Sequence, residues 1–219
     1  AHFLANAGPA EADLMMADIS GRQTGRLGAE KARAERMLLD ADVKTVAAAA
    51  KEARVLVNQA FLREKEALAS VRFFIRKDAG LESSLGSRLA GLDAVRAAYL
   101  KGVDDLYASR CRSLNVKTEK AAPTKDEIRL SGLVPVRTAK MGGMMSMWAM
   151  REELQKLKYQ PPASIMMAQR ELRNFIDGKR SILDIRDAAS AEYEPIDLLD
   201  VEKWVGVQEK LGLVTIRGK

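Results

Sequence analysis

The 219-residue chain has little of what side-chain catalysis most often uses, because it contains one cysteine, Cys111, and one histidine, His2. A single cysteine excludes an intramolecular disulfide framework. Ser-His-Asp and Cys-His catalysis each need a histidine placed as a base, and the only candidate is the second residue. One histidine and one cysteine cannot supply a conventional zinc site. We therefore predict no catalytic residue, no metal ligand and no cofactor in this chain, and whether it belongs to an enzyme depends on its context.

Aromatic residues are also few, at 5% of the chain, whereas alanine is abundant, which favours long helices over sheets. No apolar run approaches the roughly 18 residues of a transmembrane helix.

Gly142 and Gly143 lie among methionines with no Lys-Ser or Lys-Thr pair after them, which excludes a P-loop there. The net charge of +6 permits anionic partners, but the charges are interspersed. The composition predicts a mainly α fold.

Three helices and a strand are predicted for residues 162–219. The residues that begin or end these elements are Gly178, Ser181, Pro195, Asp197 and Gly212. Glycine tolerates the left-handed backbone that follows a helix, so Gly178 and Gly212 end the first and third helices. Ser181 caps the second helix and Pro195 prevents its continuation. With a strand at residues 213–216, this is the order of a winged-helix-like domain.

The third predicted helix does not suit a DNA groove. It carries four acidic residues against two basic ones; the acidic residues are Asp197, Asp200, Glu202 and Glu209, and the basic ones are Lys203 and Lys210. Insertion into the major groove needs basic or amide side chains on the exposed face, so nucleic acid is disfavoured as a partner. Trp204 is expected to be partly buried against the wing and is a candidate peptide or partner contact.

A long helical hairpin is predicted for residues 9–114. Residues 41–76 lack glycine and proline and carry a regular apolar stripe, which predicts one helix of about 35 residues. Its predicted partner spans residues 84–113, with a helix stop at residues 77–80 between them. The apolar stripes are expected to form a core, or else a coiled-coil interface with another subunit in a homo-oligomer. Glycines at 21, 25 and 28 predict a frayed or loop-broken helix with a solvated basic face.

A linker and extended arm with a methionine-rich loop are predicted for residues 115–161. Residues 115–126 are polar and mark the best domain boundary, and residues 128–137 suit an edge strand or arm. The candidate contacts in the loop are Met144, Met145, Met147 and Trp148. Methionine side chains adapt to irregular surfaces, so the loop predicts either a binding surface or gap-filling against a neighbouring domain.

The opening residues AHFLANAGP predict the tail of a helix whose start is missing, so residues 1–8 are expected to end a preceding domain. They resemble the end of the last catalytic-domain helix in bacterial zinc-dependent aminopeptidases of metallopeptidase family twenty-eight type. The metal-binding α/β domain of that family is related to that of the transferrin receptor. Larger members continue into a helical region and a segment much like VPVR at 134–137, DGKRSILDI at 177–185 and EKLGLVTI at 209–216.

This resemblance implies that the chain is the non-catalytic C-terminal region of such a metallopeptidase, serving oligomerisation, gating or peptide presentation. Its partners would be the parent's catalytic domain or another subunit, and the zinc would lie in that catalytic domain. None of the family's metal ligands, nor its catalytic glutamate, has a counterpart here, so no site residue is carried over. The resemblance also implies an exported or periplasmic location, whereas the residues themselves indicate no compartment.

Residues 175–185, FIDGKRSILDI, and EKLGLV at 209–214 are also similar to small winged helices that bind leader peptides in peptide-modifying systems. In those proteins an extended peptide adds to the sheet edge beside the third helix. The alternative hypothesis is therefore a freestanding winged-helix interaction or regulatory protein. Its ligand would be a peptide or, against the charge of its third helix, DNA.

Overall fold

The computed structural model describes residues 8–119, 122–142 and 154–218. These residues form eight α-helices and two short strands, which confirms a mainly α protein. The chain divides into two compact units between Ala121 and Ala122. This division lies within the polar stretch at residues 115–126.

Helix α1 spans Pro9–Asp40 without interruption, so the prediction of a frayed or broken helix at Gly21, Gly25 and Gly28 is wrong. Its buried residues recur every eleven positions, and they are Ala12, Met16, Gln23, Leu27, Ala34 and Leu38. Eleven residues make three turns of about 3.67 residues, close to the 3.6 of a straight helix, so the stripe stays on one side. Packing of this stripe outweighs the weak helix propensity of the glycines.

The helix predicted for residues 41–76 is shorter and divided. Helix α2 spans Val46–Ser70, and the single-turn helix α3 spans Arg72–Ile75. Before α2, the Asp42 carboxylate accepts hydrogen bonds of 2.9 Å from the N–H groups two and three residues later. Such a local side-chain turn competes with helix formation, which is why α2 begins only after it.

Helix α4 spans Ala79–Ser113 and begins five residues before the predicted start at residue 84. The predicted stop at residues 77–80 overlaps the break between the two helices, which covers residues 76–78, but Ala79 and Gly80 already belong to α4. Asp78 is the N-cap of α4 and accepts a hydrogen bond of 3.0 Å from the Leu81 N–H. The chain reverses at Arg76 and Lys77, two basic residues that adopt the left-handed backbone with φ angles of 51° and 70°.

The first unit contains three long helices, because α1 packs against both α2 and α4 in addition to the predicted contact of α2 with α4. Lys65 donates to Asp93 across the antiparallel pair α2 and α4, at 2.8 Å. On the other side of α2, Arg26 of α1 donates two hydrogen bonds, of 2.6 and 2.7 Å, to the carboxylate of Glu64. Glu64 is 7% exposed, so this pair links α1 to α2 close to the core.

The second unit begins with a helix and a strand inside the stretch predicted as an extended arm. Helix α5 spans Lys125–Ser131 and strand β1 spans Leu133–Arg137. Thr124 and Glu127 form a reciprocal capping box, which explains the helix: the Thr124 hydroxyl accepts the Glu127 N–H at 3.2 Å, and the Glu127 carboxylate accepts the Thr124 N–H at 2.7 Å. A single turn of 3-10 helix at Ala139–Gly142 follows β1.

The three helices predicted near the C-terminus are present as α6 at Ala163–Phe175, α7 at Ile182–Glu192 and α8 at Leu198–Lys210. Ser181 caps α7 as predicted, and Asp197 caps α8. Gly178 and Gly212 have φ angles of 75° and 69°, which confirms their predicted left-handed backbone.

Strand β2 spans Val214–Gly218 and pairs antiparallel with β1, so that Leu133 faces Gly218 and Arg137 faces Val214. Beneath this two-stranded sheet the helices enclose one main core; its large side chains include Leu130, Ile165, Leu172, Ile176, Ile185, Val201, Trp204 and Val214. Leu130 of α5 and Val214 of β2 belong to this core. The segments at the two ends of the unit therefore fold with the three helices.

We expect Gly25→Ala to raise the free energy of unfolding by about 0.5–1 kcal/mol, because glycine is a poor helix former. Gly25 is exposed within α1, and an added Cβ would meet nothing within 4 Å. Urea unfolding measures the change, and Ala29→Gly, one turn further along the same exposed surface, should lower stability by a similar amount. A destabilising Gly25→Ala would contradict a continuous α1.

We expect Arg26→Met to lower the free energy of unfolding by about 1–3 kcal/mol, because it removes two hydrogen bonds from the nearly buried Glu64 carboxylate. The control is Arg22→Met on the same helix, since Arg22 and its partner Asp18 have side chains 67% and 57% exposed. Exposed pairs of this kind contribute about 0.2–1 kcal/mol. Urea unfolding measures both variants. Equal losses of unfolding free energy would show that burial of Glu64 does not strengthen its pair with Arg26.

Candidate functional site

The predicted contact residues fall into two groups. Met144, Met145, Met147 and Trp148 lie outside the described residues. Trp204 is 3% exposed and packs in the core of the second unit with Val201 and Val205. At that exposure its ring contributes to the core and offers a partner almost no surface. Other groups of this unit face the solvent, and the most distinctive lie along β2.

Strand β2 has one edge paired with β1 and a second edge directed away from it. Thr138 donates its N–H to the Leu213 carbonyl at 3.0 Å, just beyond the paired strands. Backbone N–H groups alternate in direction along a strand. The Thr215 N–H therefore faces β1, and the Ile216 N–H points to the outer edge. The Ile216 N–H is accepted by the Glu209 carboxylate of α8 at 3.2 Å. A side chain thus occupies the position that a neighbouring strand's carbonyl would take.

The outer edge of β1 is less suited to strand addition. Pro135 has no N–H, and its position in the register directs its nitrogen away from β2. The α6–α7 loop packs against one face of the sheet and contacts both strands: the Val136 side chain lies within 4 Å of where a Cβ on Gly178 would stand, and Arg217 of β2 donates to the Gly178 carbonyl at 2.7 Å. Arg137 donates hydrogen bonds of 2.7 and 3.1 Å to the Arg173 and Asn174 carbonyls at the end of α6. The edge of β2 is therefore the better template.

One surface of α8 lies beside this edge and has a glycine, with no side chain, near its centre. Leu199, Glu202, Gly206 and Glu209 are spaced three or four residues apart and share one side of the helix. A Cβ on Gly206 would meet nothing within 4 Å, so packing within this unit does not require glycine there. Glycine in a helix interior is destabilising by about 0.5–1 kcal/mol relative to alanine. A missing side chain at such a position allows close approach of another chain.

The opposite side of α8 is covered. Val207 and Leu211 pack with Leu213, and the partly buried side chains of Leu154 and Tyr159 lie against them. The exposed side and the covered side of α8 are thus distinct. Only the exposed side continues onto the outer edge of β2, through the bond from Ile216 to Glu209.

The two carboxylates on the exposed side of α8 differ in their partners. Glu202 accepts two hydrogen bonds from Arg129 of α5, at 2.5 and 2.8 Å, and this guanidinium lowers the pKa of Glu202. The same contact, together with Asp126, raises the pKa of Arg129. Glu202 is therefore held against α5, whereas Glu209 is exposed and bonds to the sheet edge. Of the two, Glu209 is the one that an incoming strand would displace.

Comparison with protein-family models, curated proteins and solved structures finds no significant match. A function for this chain therefore has to be inferred from the geometry of the described residues. Among the described residues, no three His, Cys, Asp or Glu side chains lie close enough together to hold a metal ion. No described helix is both long enough and apolar enough to cross a membrane.

Sequence reasoning missed the parts of this site for two reasons. The bond between Glu209 and Ile216 depends on the pairing of β1 with β2, and the two strands lie about eighty residues apart. Gly206 stands in the interior of α8, and an interior helical glycine is a signal that the sequence itself displays. The conspicuous methionines and tryptophans directed the prediction elsewhere.

We expect Glu209→Ala to increase the amide hydrogen-exchange rate of Ile216 several-fold, because it removes the acceptor of that N–H. The exchange of Thr215, whose N–H faces β1, should not change. Lys210→Ala on the adjacent position serves as the control. Nuclear magnetic resonance of the full chain measures each amide. An unaltered Ile216 rate would show that this N–H is protected by another group.

Proposed function

We propose that residues 122–218 form a winged-helix-like module that binds an extended peptide along the outer edge of β2. The observation that carries the proposal is the Ile216 N–H, which points away from β1 and is accepted by a surface carboxylate. An extended peptide adds to such an edge by supplying a backbone carbonyl in the same place. The peptide chain would run beside α8 and pass Gly206.

The order of elements supports the winged-helix-like description. Helices α6, α7 and α8 follow one another, and β2 returns along α8 to form the sheet with β1. The acidic residues of α8 support a peptide over DNA as the ligand, since phosphate groups would be repelled. The displaced Glu209 carboxylate would be free to pair with a basic side chain, so we expect selected peptides to carry lysine or arginine near their centre.

The short edge limits the affinity. Strand β2 has five residues, and only every second one directs its backbone groups outward. Ordering a flexible peptide also costs free energy, so we expect dissociation constants in the micromolar range or weaker. This strength suits presentation or positioning of a peptide better than permanent assembly.

We further propose, from the resemblance of residues 1–9, 134–137, 177–185 and 209–216, that the chain is the non-catalytic C-terminal region of an aminopeptidase-like zinc metallopeptidase. Peptide presentation by the β2 edge is one of the roles that such a region would have. This context is tested by the sequence that precedes Ala1 in the encoding gene. A preceding domain with paired histidines and acidic metal ligands is expected, and its absence would leave the alternative of a freestanding peptide-binding protein.

The peptide proposal is tested with the full chain and peptides selected from a random displayed library. Ile216→Pro removes the outward N–H without removing a β1–β2 hydrogen bond, and we expect it to weaken binding about tenfold or more. Ile216→Ala is the matched control, because it truncates the side chain and keeps the N–H. Circular dichroism checks that both variants fold.

Two results would overturn the proposal. The first is equal binding of the selected peptides to Ile216→Pro and Ile216→Ala, which would place them elsewhere on the protein. The second is a selection that yields no peptide, together with binding of duplex DNA whose affinity falls steeply as salt rises, which would identify phosphate contacts as the source of binding.

A further inference from the structure

A second candidate site lies in the first unit, in a cleft of about 590 Å³ between α2 and α4. Binding sites for small molecules usually measure about 300–1,000 Å³, so this cleft falls within their range. Its walls are α2 on one side and α4 on the other, and Thr118 and Glu119 of the segment after α4 also line it. The cleft is independent of the β2 edge, which belongs to the other unit.

Small side chains create the space. Ala47 and Ala50 line the cleft at the beginning of α2, within the run Val46-Ala47-Ala48-Ala49-Ala50. Further along the same two helices, the rings of Phe61 and Tyr99 pack edge to face with their centroids 5.3 Å apart. Aromatic rings therefore fill the space between the two helices near the middle of the pair. At the alanine-rich start of α2 this space stays open, and the small side chains of Ala47 and Ala50 form an apolar floor.

The segment after α4 is held beside the cleft. Tyr107 is 8% exposed, and its hydroxyl donates to the Glu119 carbonyl at 2.9 Å and accepts the Glu119 N–H at 3.3 Å. At the end of α4, Val116 donates its N–H to the Cys111 carbonyl at 2.9 Å. These bonds give one rim of the cleft a defined position.

Opposite charges face each other across the cleft. Arg54 of α2 and Asp104 of α4 form an ion pair that joins the two walls, and their side chains are 40% and 55% exposed. Lys51 lies one turn before Arg54 on the same wall. Because an exposed pair of this kind contributes little to stability, a ligand that offers both charges can separate it at small cost. A ligand with one charge would leave either the arginine or the aspartate without compensation.

We propose that this cleft binds a free α-amino acid with an apolar side chain. Its carboxylate would bind Arg54, its ammonium group would bind Asp104, and its side chain would lie against Ala47, Ala50 and Val55. The zwitterion would replace the ion pair between Arg54 and Asp104 by two ion pairs, one to each residue. The apolar floor would exclude water from the ligand's side chain. The cleft thus matches a small ligand in charge, polarity and volume.

The test is titration of the full chain with L-leucine, followed by nuclear magnetic resonance shifts of the amides of α2 and α4. Leucine should bind in the millimolar range or tighter. N-acetyl-L-leucine lacks the ammonium group and L-leucinamide lacks the carboxylate, so each should bind about tenfold more weakly or worse. Equal binding of leucine and either analogue would overturn the proposal, as would an absence of shifts with leucine.

Substitutions locate the site. Arg54→Gln and Asp104→Asn should each weaken leucine binding about tenfold or more, because each removes one charged partner. The control pair is Lys101→Gln and Asp105→Asn, since Lys101 and Asp105 form an exposed ion pair on α4, at 2.6 Å, that does not line the cleft. Loss of binding in the control variants, or its retention in both cleft variants, would contradict the assignment.

Discussion

The pairing of β1 with β2 is the constraint on which the second unit depends. It joins Leu133 to Gly218 and Arg137 to Val214 across about eighty residues of chain, so the unit closes only when its last strand has formed. The same pairing decides which backbone groups of β2 are used and which remain outward. Pro135 has no N–H to offer and makes the β1 edge a poor template, whereas the outer edge of β2 lies beside α8. The strand pairing that closes the second unit therefore also leaves the β2 edge open for the proposed peptide.

Local signals in the sequence predicted the C-terminal helices well. The serine and aspartate caps of α7 and α8 satisfy backbone N–H groups within three residues, and glycines 178 and 212 take the left-handed backbone that ends a helix. Such signals depend on neighbours in the chain and need no tertiary contact. The apolar stripes also predicted the α2–α4 pair, although the helix predicted for residues 41–76 is shorter and divided into α2 and α3. The existence and type of these helices could be predicted from the sequence for this reason.

Features that depend on distant contacts could not be predicted in the same way. Three glycines suggested a broken helix, but the eleven-residue stripe of α1 is buried against α2 and α4 and keeps the helix continuous. Burial of Trp204 follows from enclosure by three helices, and the bond from Ile216 to Glu209 follows from strand pairing. The cleft beside Arg54 and Asp104 likewise requires two helices in register. Sequence patterns indicated which residues were apolar or charged, and the tertiary structure determined which of them meet.

Extension of the sheet by a peptide at β2 is tested most directly by a nuclear magnetic resonance structure of the chain with a selected peptide, through cross-strand contacts between peptide and protein backbone protons. We expect such contacts with Val214, Ile216 and Gly218, together with displacement of the Glu209 carboxylate from the Ile216 N–H. Peptide contacts confined to β1 or to the covered side of α8, with the bond between Glu209 and Ile216 intact, would contradict it.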